Sequence, residues 1–251
     1  MFGKKQMNGE KLKVQLISYT EYPEKVIATA AKTCYSPETT SINWDKALQD
    51  DGSEEKFVQK LRDMGHMSPF EHANFTFGID GISRACLAQL TRHRIASFSV
   101  QSQRYVTFGD DGDSFYAEDY FVVPEPIKNL GLEKRFLEDM CVYYDFYGIW
   151  VEKLMEFGMS EKEAAENARH VLPNSAKTNL VMTMNARELM HFFTLRCCNR
   201  AQEEIRELAW TMLGLLQDKF PIIFSACGPN CLTSSCKEGK MSCGKPYKKG
   251  N

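Results

Sequence analysis

Residues 92–104, RHRIASFSVQSQR, place three arginines, one histidine and three serines in thirteen positions with no acid among them. A guanidinium is a planar fork of donors that matches phosphate oxygens, and serine hydroxyls add further donors. That composition suits a nucleotide phosphate. The acid-free stretch is wider than the motif: the 28 residues from Gly81 to Phe108 hold Arg84, Arg92, Arg94 and Arg104 and no Asp or Glu. Pairing inside the segment therefore cannot neutralise them. Carboxylates from elsewhere in the fold could, as in structural ion-pair networks, but the serines at 97, 99 and 102 shift the balance towards an anionic ligand. Single-stranded nucleic acid or RNA is the rival, because Phe98, Tyr105 and Phe108 interleave with the cations and could stack on bases. Against it, charges outside the stretch alternate in sign, and the whole chain has a formal net charge of -2 rather than a broad basic excess.

A second polar group lies in GHMSPFEH, with His66, Ser68, Glu71 and His72. Two histidines six apart around a proline have no regular metal-ligand geometry. Cys227, Cys231, Cys236 and Cys243 lack the CxxC pairs of common zinc sites, so no metal is expected. Nine cysteines is an odd count, and Cys197 and Cys198 are neighbours that cannot easily bridge. Reduced thiols and a cytoplasmic protein are the expectation. No window holds the eighteen apolar residues of a membrane span, and MFGKKQMNGE has no apolar secretory core.

The elements that must position these groups follow from periodicity. KLKVQLISYT reads as a first strand buried on more than one side, and PEKVIATAAKTCY as a helix with proline at its start. SEEKFVQKLRDMGH reads as an exposed helix capped by Ser53 and stopped at Gly65. HANFTFGID alternates with Ala73, Phe75, Phe77 and Ile79 on one face, the clearest strand. SRACLAQLTRHR has helical spacing from Ser83, so the arginine cluster begins where that helix ends and faces a loop. A long aromatic-rich helix spans Glu133 to Met159, and Ser160 with Glu163 opens the next through a capping box. KTNLVMTM is a strand. Asn185 and Glu188 repeat a similar box ahead of ARELMHFFTLRCCNR, and AQEEIRELAWTMLGLLQDKF continues with Ile205, Leu208, Met212 and Leu215 recurring at turns. Arg200 and Glu204 read as an i,i+4 surface pair. The sum is a mixed α and β single domain with no GxGxxG and no GxxxxGK[ST].

Arg92-His93-Arg94, seven residues, then Ser102-Gln103-Arg104 resembles the RHRx7SxR signature of the flavin-dependent thymidylate synthases. The resemblance extends through AAKTCYS, GHMSPFEHANFTF, ARHVLP and NARELMHFFTLRCCNRAQEEI. It implies an α+β single domain over 13–225 with a central, largely antiparallel sheet and long helices, flanked by a flexible N-terminus (1–12) and a cysteine-bearing tail (226–251) expected to be polar and mobile. The family pattern has no counterpart for that tail, and Val100-Gln101 replaces its usual Glu or Gln followed by an apolar residue.

By the same resemblance, the protein methylates dUMP to dTMP with FAD, NADPH and 5,10-methylenetetrahydrofolate, without a cysteine nucleophile, in a homotetramer whose active sites lie at subunit interfaces. Gln89, Arg92, Gln101, Ser102, Gln103, Arg104, Arg169 and Arg196 are implied to bind dUMP. Ser68, Glu71, Arg92, His93, Arg94, Asn185, Arg187 and His191 are implied to bind FAD. Catalysis is assigned to Arg196, Ser102 and His66. Arg196, read as mid-helix among Phe192, Phe193 and Leu195, would be expensive to bury without a function, and it can stabilise negative charge on the pyrimidine carbonyls. His93 is expected to be neutral. Nucleic acid and membrane are not expected partners; a flavoprotein acting on another nucleotide remains the second alternative.

Overall fold

A computed structural model describes residues 12–49, 52–109 and 115–247. Most of the expected flexible N-terminus and the last four residues of the tail lie outside these. In chain order the elements are β1 (Lys13–Tyr19), α1 (Pro23–Thr33), α2 (Thr40–Leu48), α3 (Ser53–Asp63), β2 (Asn74–Ser83), α4 (Arg84–Leu90), β3 (Ala96–Val100), α5 (Ala117–Tyr120), α6 (Glu125–Asn129), α7 (Glu133–Glu156), α8 (Glu161–Ala168), β4 (Lys177–Asn185), α9 (Ala186–Arg196), α10 (Glu203–Lys219) and α11 (Pro221–Phe224). The class is α+β.

The four strands are ordered β1-β2-β4-β3. The Thr76 and Thr183 hydroxyls are 2.9 Å apart, the Gly81 amide donates to Asn179 Oδ1, and the Arg84 amide donates to the Ala176 carbonyl. As one number rises the other falls, so β2 and β4 are antiparallel. The alternation in HANFTFGID holds: Ala73, Phe75, Phe77 and Ile79 are fully buried. β1 corrects its expectation, because it is an edge strand with no buried residue, and Ile17 and Tyr19 stay exposed. Its alternating apolar pattern does not reveal how many faces are covered.

The chain divides into two compact units. Among the described residues, one comprises Ile79–Arg92 and those of 99–180, and the other those of 14–78, His93–Phe98 and those from Val181 on. The first has a core of Ala117, Tyr120, Phe121, Met140 and Ala176, lined by Phe108, Phe115 and Tyr144. Gly109 (φ 84°) is required there, since any Cβ would strike the Tyr144 ring. The second buries Phe70, Phe75, Phe77, Phe192, Phe193 and Phe224, with Phe75 edge-on to Phe224 at 5.3 Å.

Helix ends follow local rules with small corrections. Gly52, not Ser53, occupies the cap position of α3, and Ser53 is its first residue. At the other end the Gly65 amide donates to Arg62 O and the His66 amide to Leu61 O, a Schellman closure. Gly158 closes α7 in the same way, and the helix ends at Glu156, three residues short of the expected Met159. The Ser160–Glu163 capping box is formed. On α10, Leu216 is buried rather than Leu215. The tail, expected to be mobile, is tied down in its described part. Tyr247 donates to Asn199 Oδ1 at 2.7 Å, Asn199 donates to the Lys245 carbonyl, and Tyr247 packs on Trp210. Arg200 pairs with Glu238 of this tail rather than with Glu204. It precedes α10, so no helix brings those two to one face.

Candidate functional site

The signature runs from the end of α4 through β3 into a turn. Ser83 caps α4 by accepting from the Cys86 amide, and the helix stops at Leu90, so Arg92, His93 and Arg94 emerge in the connection to β3. Ser97 and Ser99 sit on β3 itself rather than in a loop. Past the strand, Ser102 Oγ accepts from the Arg104 amide at 3.1 Å, forming a tight turn that presents Gln103 and Arg104.

In the first unit this turn meets other cations. Arg84, Gln101, Ser102, Gln103, Tyr120 and Lys177 line a cleft of about 60 Å³. Arg84 Nη2 donates to the Gln101 carbonyl at 3.0 Å, while its buried Nε has no partner. Burial, then the like charge of Arg169, disfavours the charged form of Arg84. Lys177 donates to the Glu118 carbonyl, and burial pushes its pKa down too. Arg104 Nε pairs with Glu166 Oε2 at 2.9 Å, and Arg169 Nε donates to the carbonyl of the same Glu166 at 3.0 Å. Two arginines that the resemblance assigns to dUMP, Arg104 at the phosphate and Arg169 at the dUMP of another subunit, are thus gathered around one residue. Arg92 is exposed and, among the described residues, has no ion pair. Gln89 is half-buried on the last turn of α4.

In the second unit the groups gather on α9. Asn185 caps this helix by accepting from the Glu188 amide at 2.8 Å. Its partner in the sequence pattern, Glu188, does not complete a box; its buried carboxylate meets His93 Nδ1 at 3.2 Å. His93 Nε2 accepts from Arg196 Nε at 3.1 Å, and the imidazole stands edge-on to Phe192 with centroids 5.0 Å apart. Arg196 is the last residue of α9, not a mid-helix residue, and is partly exposed. His93 is 5% exposed. Burial lowers its pKa, opposed by the Glu188 hydrogen bond and reinforced by Arg196. Burial first, rather than the two flanking arginines, therefore disfavours a proton on this ring.

Glu71 and Arg187 form an ion pair, so two groups expected at the flavin are adjacent. Ser68 and Glu71 lie on the short 3-10 turn Ser68–His72, and both are exposed, as are His66, Arg94 and His191. Arg94 has no ion pair among the described residues. Sequence reasoning missed Glu188, Glu166 and Lys177 as members of these clusters. Only Glu188 left a trace, since it falls at four-residue intervals with Phe192 and Arg196 on one helix face.

All nine cysteines are free thiols. Burial raises the thiol pKa of Cys197 and Cys227, the latter to about 12, which keeps both from acting as nucleophiles. No His, Cys, Asp and Glu cluster among the described residues could hold a metal, and no described helix is long and apolar enough to cross a membrane.

The profile of the thymidylate synthase complementing protein family matches residues 15–222. The chain is 44% identical over 244 residues to the flavin-dependent thymidylate synthase of Clostridium tetani, covering 93% of this chain and 94% of that protein. It is 46% identical over 235 residues to the one of Geobacter sulfurreducens, with the same coverage. Among solved structures, the flavin-dependent thymidylate synthase of Helicobacter pylori complexed with FAD and dUMP is similar with a TM-score of 0.66 at 26% identity, covering 86% of this chain and 99% of that one.

Proposed function

Because this chain belongs to the flavin-dependent thymidylate synthase family, we propose that it converts dUMP to dTMP using FAD, with 5,10-methylenetetrahydrofolate as carbon donor and NADPH as reductant. The observation that carries the reading is the signature itself, complete from Arg92 to Arg104. Its cations are only partly matched by carboxylates: Arg104 has Glu166, whereas Arg92 and Arg94 have no ion pair among the described residues.

The residues divide into two sets. Ser102, Gln103, Arg104 and Arg169, with Gln89, Arg92 and Gln101, take dUMP, the guanidinium forks facing its phosphate dianion through charge-assisted hydrogen bonds. Arg94, Arg187, Asn185, His191, Ser68 and Glu71 fit a flavin dinucleotide, since two arginines and a helix start offer donors to an electron-rich ring and a pyrophosphate. Bound FAD would supply the redox chemistry that a protein side chain cannot. Arg196 would lie against the pyrimidine, stabilising negative charge on its carbonyls. His93 has both ring nitrogens committed within the protein, so its part at the flavin is to hold its neighbours. Ser102 orients the phosphate turn and His66 completes the catalytic set at the nucleotide or folate.

The assembly is a homotetramer with active sites between subunits. A cleft of about 60 Å³ is far below the roughly 300 Å³ that encloses a drug-sized ligand, so further walls must come from elsewhere. On α7 only Met140 and Tyr147 are buried, while Val142, Tyr143, Phe146, Ile149 and Trp150 are exposed at helical spacing. Such a stripe suits a second copy of this chain. The test of function is tritium release from pyrimidine-labelled dUMP by the purified, FAD-loaded protein. Release is expected to depend on folate and NADPH and to fall about 100-fold or more in Arg196→Ala. A colourless protein that cannot be reconstituted with FAD would refute the reading.

A further inference from the structure

Glu188, Phe192 and Arg196 succeed one another at four-residue intervals along α9. Eight residues of helix advance about 12 Å, too far for the carboxylate and the guanidinium to be neighbours without help. The His93 ring fills the gap, packed on Phe192 and hydrogen-bonded at both nitrogens, 3.2 Å to Glu188 and 3.1 Å to Arg196. The direction of these bonds follows from chemistry. Arg Nε can only donate, so His93 Nε2 must be the bare, accepting nitrogen; Nδ1 then carries the proton and donates to Glu188.

We propose that Glu188 is a positioning residue, acting through the Nδ1–H tautomer of His93 to hold the Arg196 guanidinium at the reacting pyrimidine. The proposal rests on the reading that Arg196 serves the pyrimidine. It gives the central histidine of the signature a use that its place in the motif does not disclose. Without the carboxylate, Nδ1–H loses its acceptor and only the Arg196 donor still favours that tautomer. If the proton moves to Nε2, two donors face each other and the bond to Arg196 is lost. Protonation of the ring breaks the same bond. The charged and titratable groups facing His93 are Glu188, Arg196 and His191, all on α9. Of these, only the carboxylate favours a proton on the ring.

The test uses the FAD-loaded full chain. In the wild type, nitrogen-15 spectra of labelled histidine at neutral pH should show His93 with a protonated Nδ1 and a bare Nε2; an Nε2–H tautomer or an imidazolium would overturn the proposal. Glu188→Gln conserves shape and removes the charge. It should lower kcat for tritium release by on the order of 10- to 100-fold, the usual result of misplacing an active-site group, with little change in KM for dUMP. It should also move the acidic limb of the pH profile to lower pH, because the carboxylate that favours ring protonation is gone. Glu188→Asp should restore part of kcat. A purely structural glutamate would leave the acidic limb in place, so a Gln variant with wild-type kcat and an unmoved limb refutes the proposal. Absence of tritium release in the wild type would instead overturn the function, while the tautomer still decides the hydrogen-bond chain.

Discussion

Arg104 Nε and Glu166 Oε2 meet at 2.9 Å, so the last arginine of the signature is held by a carboxylate 62 positions further along the chain. Both side chains are partly exposed, at 43% and 33%, which makes the pair weak and easily exchanged for a better anion. On the proposed assignment of Arg104 to the dUMP phosphate, the nucleotide competes with Glu166 for this guanidinium. Glu166→Gln should lower the KM for dUMP by up to about 5-fold, the equivalent of the ~1 kcal/mol upper range for such pairs. Steady-state kinetics at low ionic strength measures it, and a raised KM would show that Glu166 assists binding instead.

The depressed pKa of His93 has a stability consequence. The unfolded ring titrates near 6.5 and the folded ring below that. Between the two values the unfolded chain binds more protons, so folding stability drops as pH falls through 6.5 and levels off below the folded value. Thermal melts across this window should show the decline, and His93→Gln should flatten it.

The apolar stripe of α7 should hold subunits together. Trp150→Glu or Ile149→Asp places a charge in that stripe and is expected to reduce the particle mass in solution, read by light scattering, together with loss of activity. A variant that keeps the wild-type mass would assign the interface to another face.

Cysteine accessibility separates a thiol-free mechanism from a nucleophilic one. Cys34 and Cys243 are exposed, whereas Cys86, Cys197 and Cys227 are buried. A thiol-specific chromogenic reagent should label the first two quickly and the buried three only after unfolding. Blocking the fast pair should leave tritium release intact; loss of activity in step with labelling of one thiol would contradict this.

The family was legible because its signature is a contiguous string whose arginines, serines and spacing report directly on phosphate chemistry. The same holds for elements governed by neighbours within four residues: the alternation of Phe75, Phe77 and Ile79, the Asn185 cap, the Ser160–Glu163 box. Wherever a partner lay far along the chain, local pattern was silent or misled. β1 has the alternation of a strand, but its place at the sheet edge leaves Ile17 and Tyr19 exposed. Arg200 has a glutamate four residues on, but the chain is not helical there and the tail offers Glu238.

By itself, then, the amino-acid order determined the class of elements, the family signature at residues 92–104 and the absence of paired metal-ligand cysteines. Tertiary structure alone decided that Glu166 neutralises Arg104 and that Glu188, by every local rule a capping residue, turns instead to His93 and through it to Arg196. Hydrogen-bond periodicity is a property of adjacent residues. The partner of a buried group such as Glu188 is whichever one folding brings within hydrogen-bond reach, and desolvation makes that choice obligatory.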